Sequence, residues 1–160
     1  MFVHVVIGPA GAGKTTYVLQ RFLNGDLEQV PGYPVKVTRC GEIYALGDYT
    51  VARREKGTDT LPFNALPKIL RTLDEMAEHG IKTVVAEGDR INNTTFFDHL
   101  IARRYAFELI LVLRPMEECI RRLRAAGSTI TATFWKTTFT KSRRNFLRYK
   151  DKAVRAAVVT

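Results

Sequence analysis

Cysteine, histidine and long apolar runs are all scarce in this chain, and each scarcity removes a class of chemistry. Its 160 residues hold two cysteines, Cys40 and Cys119, with no partners at metal-ligand spacing. Such a pair excludes a disulfide framework and is expected to be two reduced thiols, as in cytoplasm. The three histidines, His4, His79 and His99, form no pair at the spacing of a zinc site. No apolar run reaches the roughly 20 residues that span a bilayer, and no leader-like segment is visible, so no membrane association is expected. Internal repeats and linkers are also missing, and residues 1–160 are expected to form one domain. Acidic residues are scarce in one place only. Residues 1–100 carry 11 Lys/Arg against 12 Asp/Glu, whereas residues 101–160 carry 14 against 4. The net charge of +9 therefore sits in the last third, which suits a polyanionic partner, a nucleotide or nucleic acid, or a solvated basic face.

The most informative segment is Gly8-Pro9-Ala10-Gly11-Ala12-Gly13-Lys14-Thr15, followed by Thr16. It fits G-x-x-x-x-G-K-[ST], a loop whose glycines let the backbone wrap an anion. Its amides and the following helix N-terminus face a triphosphate, Lys14 reaches the β- and γ-phosphates, and the Thr15 hydroxyl binds Mg²⁺. The context agrees, because Phe2-Val3-His4-Val5-Val6-Ile7 reads as a buried strand and residues 14–23 as a helix. An Asn-Lys-x-Asp guanine-reading motif is absent, which argues against a GTPase.

Strand and helix patterns alternate along the chain. The expected fold is a three-layer α/β phosphate-loop NTPase: a mostly parallel five-stranded sheet, helices on both faces, and an edge hairpin. Residues 26–34 read as a turn-rich connection. Residues 35–40 and 43–46 form the hairpin around Gly41-Glu42. Residues 48–62 read as an exposed loop centred on Arg53-Arg54-Glu55-Lys56-Gly57. Asn64 is expected to cap a helix carrying Leu66, Ile69, Leu70, Leu73, Met76 and Ala77, ended by Gly80. Further strands are expected over 81–86, 107–113 and, as a short last one, 154–159. Helices are expected from Asn93 or Thr94 to about Tyr105, from Met116 to Gly127, and in the later part of residues 128–150.

Strand ends deliver functional groups in such sheets. The strand over 81–86 runs into Glu87-Gly88-Asp89-Arg90, where a carboxylate can hold the water shell of Mg²⁺ or accept a proton from an attacking hydroxyl, and Arg90 can fix a phosphate. Asp48, Tyr49 and Asp59 flank the basic loop on the expected acceptor side. A carboxylate there can orient or deprotonate an acceptor hydroxyl, Tyr49 can stack on a base, and Asp59 reads equally well as a turn aspartate. Arg121, Arg122 and Arg124, with Lys141, Arg143 and Arg144, are cations able to close over a triphosphate. Trp135, Phe139, Phe146 and Tyr149 lie among them. They suit a nucleic-acid surface or a core-facing stripe, the stripe being favoured for the first three.

Four stretches in order resemble the phage 5-hydroxymethyluracil DNA kinases of thymidine hypermodification. These are residues 8–16; Leu46-Gly47-Asp48-Tyr49 through Gly57-Thr58-Asp59-Thr60-Leu61; Glu87-Gly88-Asp89-Arg90-Ile91-Asn92-Asn93; and Thr140-Lys141-Ser142 with Asn145. The resemblance implies transfer of the γ-phosphoryl of ATP to the hydroxymethyl oxygen of a modified thymine in DNA, in the host cytoplasm. It further implies that Lys14 and the loop amides hold ATP, that Thr15 holds Mg²⁺ with Glu87 nearby through water, and that Asp59 or Asp89 is the base. Arg121, Arg122 and Lys141 become phosphate contacts. The family's Arg-Gly-Ser lid is represented by Arg124-Ala125-Ala126-Gly127-Ser128, a departure by a short insertion. Two other readings share the donor site: a small-molecule nucleoside or nucleotide kinase, and a non-kinase phosphate-loop NTPase.

Overall fold

Apolar runs of strand length alternate with amphipathic helical stretches, so the chain builds a sheet and covers both its faces. A computed structural model describes residues 1–51 and 57–160; residues 53–56 of the expected basic loop lie outside the described residues. The order is β1 (Phe2–Ile7), α1 (Lys14–Arg21), β2 (Glu28–Val30), β3 (Val37–Cys40), β4 (Ile43–Leu46), a 3₁₀ turn (Thr58–Thr60), α2 (Leu66–Glu78), β5 (Thr83–Glu87), α3 (Thr94–Ala102), β6 (Ala106–Val112), α4 (Met116–Ala125), α5 (Ala132–Tyr149) and β7 (Arg155–Val159).

The sheet runs β2-β3-β4-β5-β1-β6-β7, seven strands rather than the expected five. Strands β4, β5, β1, β6 and β7 are parallel, while β3 and β2 add to one edge in antiparallel fashion. The hairpin is present, but it is not the edge. Residues 28–30, inside the expected turn region, pair with β3. With only Val30 apolar among them, periodicity gives no sign of a strand, and pairing is set by the open edge of β3.

Alternation along the strands sorts two cores. Val3, Val5 and Ile7 of β1 face Ile69, Leu73 and Met76 of α2 and Phe96, Phe97 and Leu100 of α3. Val6 faces the opposite way, in the cluster holding Val18 of α1 and Cys119 of α4. Helix α5 belongs to both layers: Trp135 packs in the second cluster, Phe146 and Tyr149 in the first. It therefore passes across the carboxyl ends of the strands. Its Thr-rich first half is helical from Ala132, capped by Thr131, whose hydroxyl accepts from Phe134 N at 3.2 Å. Asn93 caps α3 by accepting from Phe96 N at 2.9 Å. Asn64 caps nothing; α2 starts after Ala65 without a side-chain cap, helped by Pro67 in its first turn. Among the described residues no helix is long and apolar enough to cross a membrane.

Candidate active site

The loop between β1 and α1 is built by backbone conformations that side chains resist. Gly13, the residue before α1, sits at φ 91°, a left-handed value that glycine adopts freely. The turn leaves the first amides of α1 open toward a cavity of about 530 Å³. Gly8, Ala10, Gly11, Gly13, Lys14, Thr15 and Thr16 of the loop and helix start line it, as do Asp59, Phe63, Asp89 and Arg90. Pro9 is buried, and its carbonyl accepts from Lys14 Nζ at 3.0 Å. Ala12 is buried as well, and its carbonyl accepts from Arg114 Nε at 3.1 Å.

Glu87 ends β5 beneath the loop, 2% exposed. Thr15 Oγ1 donates to its Oε1 at 3.0 Å, and Thr58 Oγ1 donates to its backbone carbonyl. Burial, reinforced by Asp59, raises the Glu87 carboxyl to about 7, against the pull of Lys14 and the Thr15 hydrogen bond. A hydroxyl and a buried carboxylate in contact form a hard-oxygen pair that fits Mg²⁺, which takes few protein ligands and completes its shell with water and phosphate. Among the described residues no group of three or more His, Cys, Asp or Glu could hold a metal, and a magnesium site of this kind needs none.

The side opposite the loop is polar and partly open. Asp59 sits in the 3₁₀ turn with its side chain 56% exposed and 3.9 Å from Arg90 Nη1. Arg90 also reaches the Leu61 carbonyl at 3.4 Å. Its guanidinium lies 4.0 Å from the centre of the Phe63 ring. Phe63 is 89% exposed and lines the cavity beneath that guanidinium. Asp89 is engaged differently: Lys141 Nζ donates to its Oδ1 at 2.8 Å. On α4, Arg122 lines the cavity and pairs with Glu118 at 2.8 Å.

Several expected site residues lie elsewhere. Asp48 is buried outside the cavity. Its Oδ1 accepts from Gln29 and Thr50, and its Oδ2 from Lys36 at 3.2 Å. Burial alone would raise its carboxyl; the bonds from Thr50 and Lys36 outweigh that and hold it below the ordinary value. It fastens the chain leaving β4. Tyr49 is 1% exposed, so its ring offers no face to a base. Its hydroxyl faces Glu87 without a well-formed hydrogen bond, and burial together with the Glu87 charge raises it well above 10. Arg121 is exposed and lines a separate groove with Glu117, Ile120 and Arg124. Arg143 is exposed and outside the cavity. Trp135, Phe146 and Tyr149 are buried, as a core stripe requires.

Sequence reasoning assigned no role to Phe63, Phe134 or Thr138, all of which line the cavity. Thr138 Oγ1 accepts from Ala10 N at 3.2 Å. It belongs to a buried polar row on α5. Ser142 Oγ donates to the Thr138 carbonyl at 2.8 Å, Asn92 Nδ2 donates to Ser142 Oγ at 2.9 Å, and Asn145 Nδ2 donates to Asn92 Oδ1 at 2.8 Å. The spacing 138, 142, 145 is a helical repeat, a signal legible in the sequence once it is sought among polar rather than apolar residues.

No protein-family model and no curated protein sequence matches the chain. Solved structures do. Deoxyadenosine kinase from M. mycoides with bound dATP matches with a TM-score of 0.53 at 13% identity, covering 100% of this chain and 91% of that one. The same enzyme with the products dCMP and a flexible dCDP bound gives 0.51 at 13% identity, over 100% and 90%. The chain thus shares the α/β fold of these structures, with a mostly parallel sheet.

Proposed function

We propose that the protein is an ATP-dependent, Mg²⁺-requiring kinase, one domain over residues 1–160, that phosphorylates a hydroxyl of a nucleoside or nucleotide. The observation that carries this reading is the joining in one cavity of Lys14 and Thr15 with Asp59, Asp89 and Arg90 across from them. Lys14 leaves the Pro9 carbonyl for the β- and γ-phosphates, and the loop amides hold the rest of the triphosphate. Thr15 and Glu87 would hold Mg²⁺, directly and through water; the ion supplies charge neutralisation at the transferring phosphoryl. Arg122 lies beside Gly13 as a further cation for that group. Asp59 is the base of choice, since Asp89 is tied to Lys141 whereas Asp59 has only a 3.9 Å contact with Arg90 among the described residues. The fold shared with a deoxyadenosine kinase supports a nucleoside-type acceptor.

One observation favours a second reading, 5-hydroxymethyluracil within DNA as acceptor. Lys136, Lys141 and Arg144 with Thr133, Thr137 and Thr140 share a shallow groove along α5. Lys141 links that groove to Asp89 at the cavity. Cations and hydroxyls along a helix suit a phosphate backbone, whose affinity would fall steeply with salt.

An acceptor screen decides between the two. Radiolabelled γ-phosphate from ATP is offered to free deoxynucleosides, deoxynucleoside monophosphates, plain DNA and DNA containing 5-hydroxymethyluracil, with Lys14→Ala as the blank. Label in a free nucleoside or monophosphate supports the first reading; label confined to the modified DNA supports the second. Turnover by Lys14→Ala equal to that of the unaltered protein refutes the kinase assignment.

A further inference from the structure

We propose that Thr138 is a positioning residue for the phosphate loop, one that fixes the peptide plane between Pro9 and Ala10 and so sets where Lys14 waits. The inference rests on reading the loop as the ATP site.

The Pro9–Ala10 peptide unit is held at both of its polar ends. Its carbonyl accepts from Lys14 Nζ at 3.0 Å and from Ala12 N at 3.3 Å. Its N–H donates to Thr138 Oγ1 at 3.2 Å. The Thr138 proton is already committed to the Trp135 carbonyl at 2.9 Å. That leaves the hydroxyl only lone pairs to offer, and it can face an N–H but not a carbonyl. A flipped peptide would aim its carbonyl at a hydroxyl with no proton to give, and its N–H at the Lys14 ammonium. The side chain therefore selects one orientation of the plane.

The selecting atom is well placed to impose it. Thr138 is 7% exposed, and its own carbonyl is held by Ser142, which Asn92 holds in turn. Asn145 grips Asn92 at both its carbonyl and its side chain, at 3.1 and 2.8 Å. The acceptor for the Ala10 amide thus projects from a helix whose register is locked to the segment after β5, the segment that carries Asp89 and Arg90. A loop ordered in this way before ATP arrives gives up less freedom on binding. Removing the acceptor strands the Ala10 N–H and frees the plane.

The test is equilibrium binding of a fluorescent ATP analogue to the full chain, with steady-state KM for ATP and kcat measured alongside. Thr138→Val keeps the shape and removes the acceptor; Thr138→Ser keeps the acceptor. Thr138→Val is expected to weaken binding and raise KM for ATP roughly five- to tenfold, the effect of one lost hydrogen bond, with a smaller change in kcat. Thr138→Ser should stay within about twofold of the unaltered protein. The Ala10 amide should lose hydrogen-exchange protection in Val and keep it in Ser. If Val does not fold, as judged by thermal melting, Thr138→Ala carries the same expectation. Unaltered ATP binding by a folded Val or Ala variant overturns the positioning role and leaves the kinase reading standing, as does a Ser variant as weak as Val. Absence of ATP binding by the unaltered protein overturns both.

Discussion

Replacing Glu87 with Gln should make the nucleotide-free protein less sensitive to pH while stopping phosphoryl transfer. In the fold the carboxyl titrates at about 7, raised by burial from its ordinary 4.5. The folded chain consequently binds a proton that the unfolded chain has released between those values. Stability falls as pH rises through that window, and the contribution is fully lost above about 7. At about 1.4 kcal/mol per pH decade, the loss attributable to this one group over the whole window is about 3.5 kcal/mol. Glutamine keeps the shape and can still bond Thr15, whose hydroxyl accepts as readily as it donates. Urea unfolding in EDTA at pH 5 and pH 8, for both proteins, isolates the effect, because other groups titrate alike in each and cancel in the difference. The unaltered protein should lose about 2.5 kcal/mol more than Glu87→Gln across the interval. Equal pH slopes for the two would refute the account of Glu87 as a desolvated carboxylate. Phosphoryl transfer should drop by about 100-fold or more in the Gln variant, since the metal would lose its anionic partner beneath the loop.

Phe63→Ala should raise KM for the acceptor about tenfold through loss of a stacking face while leaving the melting temperature almost unchanged, because the ring is 89% exposed; an unchanged KM would remove Phe63 from the acceptor site. Gly57→Ala should destabilise the protein by about 2 kcal/mol in urea unfolding. Gly57 lies at φ 61°, and an added Cβ would sit 2.5 Å from Glu87 Oε1 and 2.6 Å from the Tyr49 hydroxyl. A midpoint matching that of the unaltered protein would show that this junction can relax.

The phosphate-loop half of the cavity was legible because its parts are contiguous. Residues 8–16 form one loop and the first turn of the helix after it, and the rest of that half lies at the end of a strand, where Glu87 sits. The facing half comes from separate segments, and hydropathy misjudged them. Asp48 and Tyr49 looked like members of a polar loop, yet Gln29, Lys36 and Thr50 satisfy Asp48 and let the chain bury it. Phe63 looked incidental because nothing local marks an exposed aromatic as useful. Arg121 and Arg122 are adjacent in sequence but about 100° apart around a helix, so only one of them reaches the cavity. Strand β2 was missed since its pairing depends on β3 and not on its own composition.

The passage of α5 across both layers bears on the order in which the chain is made. The phosphate loop is synthesised 128 residues before its partner Thr138. During translation the glycine loop, β1 and α1 can all exist while the Ala10 amide has nothing to meet. The same holds for the turn at Asn92, whose partners Ser142 and Asn145 lie 50 and 53 residues further on. The cavity at the phosphate loop is completed late, with only β7 following α5 in the chain, although its signature is read early. A nascent chain halted before α5 would display the motif with its geometry unfinished.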